Sequence, residues 1–187
     1  MAAGKGTRMK SAHPKVLHTL AGRSLLQHVL NAVAGLQADQ TLLVVGHGAE
    51  AVRASVADSG ALCVLQEPQL GTGHAVQQAV PHLPDGGTTL ILNGDVPLIE
   101  PATAAALVAA CGGTKLALLT IELVDATGYG RIVRNGKQEV HAIVEQTDAS
   151  KAERAIREVY TGMLAAPTAW LKRAVMALEN RNAQKEF

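Results

Sequence analysis

Residues 41–66 read TLLVVGHGAEAVRASVADSGALCVLQ, and this stretch decides the fold. Residues 41–46 form a short, nearly all-apolar run ending in glycine, which is typical of a strand buried on both faces. Residues 49–57 have the spacing of a short helix, and residues 61–66 form a second buried strand ending at Gln66. A strand, a helix and a second buried strand in this order predict parallel pairing in an α/β sheet.

The same alternation continues on both sides of this unit. Apolar periodicity predicts further helices over residues 24–36, 73–80, 102–110, 148–159 and 168–180, and further strands over residues 88–95, 115–123 and 158–166. Two β-like runs around Asn135-Gly136 predict a hairpin within residues 130–146. We therefore predict a single α/β domain over residues 1–187. Its Rossmann-like open sheet is mixed and mostly parallel, with helices on both faces and an added β-hairpin lobe.

Composition excludes several classes of protein. Hydrophobic residues make up 48% of the 187 residues and charged residues 18%, which excludes a disordered chain. A net charge of +1 and an aromatic content of 2% argue against nucleic acid or an acidic membrane as a partner. Cys63 and Cys111 lie in apolar surroundings, so we expect free thiols in a reducing cytoplasm. The sequence has no apolar run long enough to span a membrane.

The opening stretch AAGKGTRM, residues 2–9, has the composition of a polyphosphate-binding loop. Small side chains let backbone N–H groups approach an anion closely, and Lys5, Arg8 and Lys15 add positive charge. Pro14 stiffens the approach to Lys15. The stretch is neither a Walker A motif nor a full dinucleotide fingerprint. An ordinary flexible N-terminal segment is the alternative interpretation.

Two further groups of polar residues follow buried strands, where ligands of open α/β sheets bind. Asp95 ends its strand and is a candidate Mg²⁺ ligand, because Mg²⁺ prefers one or two carboxylates plus phosphate and water oxygens. Gln66 offers a donor and an acceptor, which suits the imide edge of uracil or thymine. Gly71 and Thr72 add a close backbone approach and a hydroxyl. A turn aspartate, a solvated glutamine and a plain helix start are the alternatives.

A glycine-rich turn, TGYGRI at residues 127–132, and Glu145 after the hairpin have the groups that bind sugar hydroxyls. A surface turn and a solvated carboxylate explain them equally well. His74 begins a predicted helix, which favours a structural role over a ligand-binding one.

These motifs occur in a fixed order along the chain: AAGKGTRM with PKVL, LGTGHA, NGDVPL, GYGRI, IVE and TG. In this order they resemble the sugar-1-phosphate nucleotidyltransferases. Within that group the likeness is to the uridyltransferase domain of the bacterial bifunctional uridyltransferase–acetyltransferases that make UDP-N-acetylglucosamine. The resemblance implies Mg²⁺-dependent, in-line transfer of a uridylyl group from UTP to N-acetylglucosamine-1-phosphate, without a covalent intermediate. The product serves the synthesis of peptidoglycan and lipopolysaccharide precursors.

The resemblance also implies roles for individual residues. The implied catalytic residues are Arg8, Lys15 and Asp95, and Asp95 is also the implied metal ligand. The implied nucleotide-binding residues are Ala2, Ala3, Gly4, Lys5, Gly6, Thr7, Gln66, Gly71 and Thr72. The implied sugar-phosphate-binding residues are Asn93, Gly94, Gly130, Glu145, Tyr160 and Thr161.

The sequence departs from the family pattern at several places. Tyr160 stands where the family usually has an asparagine that contacts the sugar, and Lys185 and Phe187 differ from the family's usual ending. The family's first strand would precede Ala2, and its acetyltransferase domain would follow residue 187. We therefore expect a domain truncated at both ends and weakly active or inactive alone. The full-length family member is expected to trimerise through the C-terminal domain.

Two alternative functions differ in class. A thymidylyl-, cytidylyl- or guanylyltransferase would keep the fold and change the substrates, because one side chain does not settle the base. A non-catalytic module with this fold would be expected to lose Arg8, Lys15 or Asp95, and all three are present.

Overall fold

The computed structural model describes residues 1–6, 9–11 and 13–179. The strands in these ranges are β1 (Thr19–Leu20), β2 (Arg23–Ser24), β3 (Leu42–Val45), β4 (Leu62–Leu65), β5 (Thr88–Ile91), β6 (Ala117–Glu122), β7 (Arg131–Arg134), β8 (Val140–Val144) and β9 (Glu158–Pro167). The helices are α1 (Leu25–Ala34), α2 (Ala49–Ser55), α3 (Thr72–Ala79), α4 (Pro101–Cys111), α5 (Lys151–Arg154) and α6 (Thr168–Met176).

Local sequence explains where the helices begin and end. Ser24 caps α1 by accepting a hydrogen bond from the Gln27 N–H at 3.1 Å. Helix α4 begins with Pro101 and ends at Gly112, whose φ of +54° is the left-handed conformation that favours glycine. Helix α5 has a capping box at Ser150 but is much shorter than the helix predicted over residues 148–159, because the chain turns into β9 at Glu158.

The predicted parallel strand–helix–strand unit is confirmed. Strands β3 and β4 pair in parallel, in register from Leu42 opposite Leu62 to Val45 opposite Leu65. Leu43 and Val45 pack with residues of α1 and α2, whereas the intervening Val44 packs against α3. Both faces of β3 are therefore covered, which explains its nearly all-apolar sequence.

Strands β3 and β4 form a two-stranded sheet, and β9 organises a separate five-stranded sheet, β5 to β9, through antiparallel pairs. It pairs with β6 along one edge and with β5 and β7 along the other, and β7 carries β8 as a hairpin. Helices α3 and α6 pack near Ile91 on one face, and α4 packs near Ala165 on the other. The predicted mixed open α/β sheet is confirmed, with a larger antiparallel part than strand–helix alternation predicts.

Residues 1–3 lie between β3 and β5. The Ala2 N–H donates to the Val44 carbonyl at 2.8 Å, and the Met1 carbonyl accepts from the Gly94 N–H at 2.8 Å. The Met1 α-ammonium donates to the Leu92 carbonyl at 2.6 Å. Burial lowers the pKa of this α-ammonium to about 6, although the nearby Asp95 carboxylate opposes the shift. Residues 1–3, where the opening loop begins, are thus held on both sides.

An apolar cavity of about 1060 Å³ continues the path of residues 1–3 beyond Met1. It separates β3 from β5 and extends between α1 and α4. Its lining includes Leu30, Val33, Leu42, Leu90, Ala105 and Val108. This lining has no cluster of charged groups, so the cavity is not the site of the predicted chemistry.

The predicted hairpin is present, but its turn differs from an Asn-Gly turn. The Asn135 N–H donates to the Glu139 carbonyl and the Gln138 N–H to the Asn135 carbonyl, both at 2.9 Å. Gln138, not Gly136, has the left-handed φ of +64°. The turn is therefore a longer loop with a bulge position at Gln138.

Both cysteines are free thiols; Cys111 is buried and Cys63 is half-buried. Across the helices that the structure describes, none is long and apolar enough to cross a membrane.

Candidate functional site

A polar cleft of about 530 Å³ lies beyond the carboxyl ends of β4 and β5. The structure brings the opening loop together in this cleft with the residues that follow both strands, as the sequence predicts. The predicted residues that line it are Ala2, Ala3, Gly4, Lys5, Gly6, Lys15, Gln66, Gly71, Thr72, Asn93 and Asp95. Thr7 and Arg8, two other predicted residues of the loop, lie outside the described residues.

Close backbone approaches shape the described part of the opening loop. The Ala3 carbonyl accepts a hydrogen bond from the His47 N–H at 3.2 Å, and a Cβ at Gly46 would lie 2.8 Å from that carbonyl. A Cβ at Gly6 would lie 2.8 Å from the Lys15 Cβ, and Gly6 has a φ of +59°. Gly4 has open space around it, so its backbone faces the cleft without a side chain. These glycines let the loop fold tightly around a ligand.

Lys15 and Asp95 form an ion pair in the cleft, with Nζ 2.5 Å from Oδ2. Lys15 begins a short 3₁₀ helix after Pro14, which packs so closely on Gly48 that a Cβ there would lie 2.4 Å from the Pro14 Cγ. Both charged side chains remain partly exposed, at 41% and 30%. A cation and a carboxylate are therefore presented together to anything that enters the cleft.

The residues of the cleft fit a magnesium ion whose coordination is partly completed by substrate phosphates. Within the described part of the chain, no cluster of three or more His, Cys, Asp or Glu side chains could hold a metal alone. Mg²⁺ needs only one or two carboxylates where substrate phosphates and water complete its coordination. Asp95 lines the cleft together with the opening loop and can supply that carboxylate.

Gln66 lies at the other end of the cleft and is 3% exposed. Its backbone N–H donates to the Val45 carbonyl at 2.7 Å, which fixes it at the end of β4. Its side-chain Nε2 donates to the Gly71 carbonyl at 2.9 Å and lies 3.2 Å from His74 Nδ1. The side-chain Oε1 accepts no hydrogen bond from any described residue. Gln66 therefore offers a ligand an acceptor, a narrower role than the donor and acceptor predicted.

The predicted sugar-phosphate residues fall into two groups. Asn93 lines the cleft, and its Nδ2 donates to the Thr161 carbonyl at 3.2 Å. The Thr161 hydroxyl donates to the Leu119 carbonyl at 2.7 Å. Gly94 lies behind the cleft, where its N–H holds the Met1 carbonyl. This group is continuous with the cleft through Asn93.

Gly130, Glu145 and Tyr160 form the second group, beside the lining of the cleft. The Tyr160 N–H donates to the Gly130 carbonyl at 2.9 Å, and a Cβ at Gly130 would lie 3.1 Å from Glu145 Oε1. Burial raises the pKa of the Tyr160 phenol to about 12, so the side chain stays a neutral hydroxyl. The structure thus brings these three residues together, next to Thr161 in β9.

Sequence reasoning missed Arg131, which supports the second group. Arg131 is 2% exposed, and its guanidinium donates to the Ile156 carbonyl at 3.1 Å, to Gln146 Oε1 at 2.7 Å and to the Tyr129 carbonyl. A buried arginine in a strand has no local signal that distinguishes it from a solvated one.

Two neighbours of Gln66 were also missed as parts of the site. Gln69 lines the cleft and donates from Nε2 to the Gln66 carbonyl at 3.1 Å, which closes the loop after β4. His74 contacts the Gln66 side chain and, through its other ring nitrogen, Gln78 at 3.0 Å.

The model of MobA-like NTP transferase domains matches residues 1–156. The chain belongs to that family. This NTP transferase domain is 64% identical over 194 residues to the bifunctional protein GlmU of Methylibium petroleiphilum, and 57% identical over 197 residues to that of Polaromonas naphthalenivorans. Both matches cover the whole chain, which spans 42% of the length of each relative. The resemblance inferred from the motifs is confirmed.

A solved UDP-glucose pyrophosphorylase complexed with UDP-glucose shares the fold of this NTP transferase domain. The TM-score is 0.71 at 14% identity, covering 98% of this chain and 80% of the other. At this identity the likeness concerns the fold alone. Family membership and the named relatives together support nucleotidyl transfer as the chemistry of the domain.

Proposed function

We propose that the domain transfers a uridylyl group from UTP to N-acetylglucosamine-1-phosphate, releasing pyrophosphate and forming UDP-N-acetylglucosamine. One observation carries this proposal: a single cleft joins the unpaired acceptor of Gln66 to the Lys15–Asp95 pair, with the opening loop along its floor. The 64% identity to a protein named GlmU supports the same reaction.

The base is read at the Gln66 end of the cleft. Uracil presents an N–H flanked by two carbonyl oxygens, so the Gln66 Oε1 accepts from the N–H. Gly71 and Thr72 line the cleft with Gln66, and at the start of α3 their N–H groups have no helical acceptor. One of these two N–H groups would donate to a uracil carbonyl. The triphosphate then runs along the opening loop toward Lys15.

The transfer is a direct displacement. A phosphate oxygen of N-acetylglucosamine-1-phosphate forms a bond to the α-phosphorus of UTP, and the bond from that phosphorus to the bridging oxygen of pyrophosphate breaks. No protein nucleophile is needed, so the domain contributes positioning and charge neutralisation. Lys15 would neutralise phosphate charge near the reacting phosphorus, and Arg8 would stabilise the leaving pyrophosphate.

Asp95 would hold Mg²⁺, which when bound would offset the repulsion between the phosphates of the two substrates. Lys15 now occupies one oxygen of that carboxylate, so Lys15 would move toward phosphate as the substrates bind.

The acceptor lies on the β9 side of the cleft. Asn93, Gly94 and Thr161 border the phosphate region, and Gly130, Glu145 and Tyr160 would contact the sugar. Tyr160 stands where the family usually has an asparagine, and its neutral hydroxyl would donate to the sugar in place of an amide.

The wider setting follows from the same reaction. We place the domain in the cytoplasm, in the synthesis of peptidoglycan and lipopolysaccharide precursors. The bifunctional protein that would contain it is a homotrimer formed by its other domain. Neither nucleic acid nor membrane is a partner.

Two measurements test the reaction. Pyrophosphate release should require both UTP and N-acetylglucosamine-1-phosphate, and CTP, GTP and dTTP or glucose-1-phosphate should support it poorly. Titration calorimetry of the 187-residue chain should detect UTP binding that Asp95→Asn makes independent of Mg²⁺. Equal binding of all four nucleotides, or faster release with another sugar phosphate, would contradict the proposed substrates.

A further inference from the structure

We propose that His74 is a positioning residue that fixes the orientation of the Gln66 amide, so that the cleft selects a base with an N–H at the contacted position. The inference rests on the proposed function and deepens it, because it assigns the choice between uracil and cytosine to a residue that need not touch the nucleotide.

The orientation of the Gln66 amide follows from its surroundings. Its Nε2 lies 2.9 Å from the Gly71 carbonyl oxygen, which can only accept a hydrogen bond. The nitrogen end of the amide must therefore face Gly71. The side chain is 3% exposed, so water does not readily compete for these groups.

His74 receives the second hydrogen of the same amide. Its Nδ1 lies 3.2 Å from Gln66 Nε2, and a donor there requires a bare Nδ1 with the ring proton on Nε2. The ring Nε2 lies 3.0 Å from the Gln78 Nε2, so an amide nitrogen faces each ring nitrogen. A neutral ring accepts at one nitrogen alone, and Gln66 is held by the Gly71 carbonyl. We therefore infer that the Gln78 amide is rotated by 180° from the orientation in the structure, with its Oε1 accepting from the ring Nε2–H.

The remaining atom of the Gln66 amide faces the ligand. Gly71 and His74 take both hydrogens of Nε2, and Oε1 has no partner among the described residues although the side chain lines the cleft. Uracil has an N–H at ring position 3, which can donate to this oxygen. Cytosine has a bare nitrogen there, which would place two acceptors against each other at a buried position.

Loss of the His74 acceptor would free one hydrogen of Gln66. The amide could then turn, at the cost of its bond to Gly71, and present its nitrogen to cytosine. Discrimination between the bases would fall, whereas contacts with the triphosphate would not change. His74→Asn should keep the orientation of the Gln66 amide. The asparagine side-chain oxygen is separated from the backbone by as many bonds as the histidine Nδ1, so it can accept the same hydrogen bond.

The first test compares nucleotide affinities by titration calorimetry. In the 187-residue chain, His74→Leu should reduce the ratio of UTP to CTP affinity at least about tenfold, and His74→Asn should restore most of it. His82→Leu is the matched control, because His82 lies outside the cleft and should leave the ratio unchanged. An unchanged ratio in His74→Leu, or an equal loss for both nucleotides, would overturn the proposal.

The second test needs no nucleotide. Nitrogen-15 NMR of the ligand-free protein should show the His74 ring, when neutral, as the tautomer protonated at Nε2, with slowly exchanging Gln66 side-chain hydrogens. A ring protonated at Nδ1 would overturn the inference. Failure of the proposed function is distinguishable, because a wild-type protein that does not prefer UTP over CTP would contradict the uridylyl substrate even where this tautomer is found.

Discussion

At the scale of single residues, Lys15 determines how the cleft responds to its substrates. Its ammonium lies 2.5 Å from an Asp95 oxygen in the ligand-free protein. Substrate phosphates would compete with Asp95 for Lys15, and a metal ion would compete with Lys15 for Asp95. The Lys15–Asp95 pair thus holds an ammonium and a carboxylate in place until substrate phosphates and a metal ion bind.

In a full-length protein that carries this domain, Lys15→Ala should lower the rate of pyrophosphate release roughly 100-fold, because it would remove one charge-neutralising group at the proposed reacting centre. The same variant should leave the UTP-to-CTP preference unchanged, since Gln66 lies at the other end of the cleft. Lys137→Ala, which removes an exposed lysine in the β7–β8 turn, is the control. Release by Lys15→Ala within about threefold of wild type would contradict the role of Lys15.

Part of the site could be predicted from the residues alone. Gln66 directly follows β4 and Asp95 lies shortly beyond β5, and ligands of open α/β sheets bind beyond the carboxyl ends of the strands, so their convergence is a matter of topology. The prediction that β4 is buried on both faces is wrong, because Leu62 and Leu65 are exposed. The sequence does not predict which atoms of the Gln66 side chain are left to bind a ligand. That depends on the distances from its Nε2 to the Gly71 carbonyl and to the His74 ring nitrogen, which no sequence pattern gives.

At the scale of elements, β9 has the largest influence on the sugar side of the cleft. It places Thr161 near Asn93 and joins Tyr160 to Gly130. Its apolar sequence predicts a strand correctly, but the identity of its partners depends on long-range pairing that local patterns do not encode. For the same reason the antiparallel pairing of β5 with β9 could not be predicted from strand–helix alternation.

Two arginines of strand β7 provide a matched pair of variants. Arg131→Met should lower the free energy of unfolding by about 2 kcal/mol, because three part-buried acceptors lose a buried donor. Arg134→Met breaks an exposed pair with Glu158 and should cost less than about 1 kcal/mol. Chemical denaturation measures both. Equal losses would show that the guanidinium of Arg131 does not stabilise the turn.

The turn of the β7–β8 hairpin gives a second prediction. Gln138→Gly should stabilise the protein by about 1 kcal/mol, because glycine adopts the left-handed φ without strain. Gly136→Ala should be neutral or slightly stabilising, since its backbone is not left-handed and open space surrounds it. Thermal unfolding tests both variants. Strong destabilisation by Gly136→Ala would indicate an Asn-Gly turn instead.

At the scale of the whole molecule, residues 1–3 lie between the β3–β4 sheet and the sheet of β5 to β9, and their hydrogen bonds connect the two. Beyond Met1 the separation of the two sheets continues as the apolar cavity of about 1060 Å³. Residues 1–3 are thus held on both sides, whereas the described residues do not fill the space behind them.

Four consecutive apolar residues, Val-Ile-Val-Leu, placed before Met1 should raise the free energy of unfolding by roughly 3 kcal/mol, because burial of their side chains in the cavity exceeds the cost of ordering them. The extension would also replace the desolvated α-ammonium by an amide N–H that can still donate to Leu92. A Gly-Ser-Gly-Ser extension is the control, because it makes the same amide without filling the cavity. Equal stabilities of the two extended chains would contradict this account.

The hydrogen bonds of residues 1–3 have a further consequence, for amide hydrogen exchange. The N–H groups of Ala2, His47 and Gly94 bind the carbonyls of Val44, Ala3 and Met1, so all three open when this strip separates from its neighbours. A nucleotide along the opening loop favours the closed strip and should slow exchange at these three amides together. Amides of the β7–β8 hairpin should exchange at the same rate with and without nucleotide. Slower exchange at the Ala2, His47 and Gly94 amides alone would therefore indicate that a nucleotide occupies the cleft.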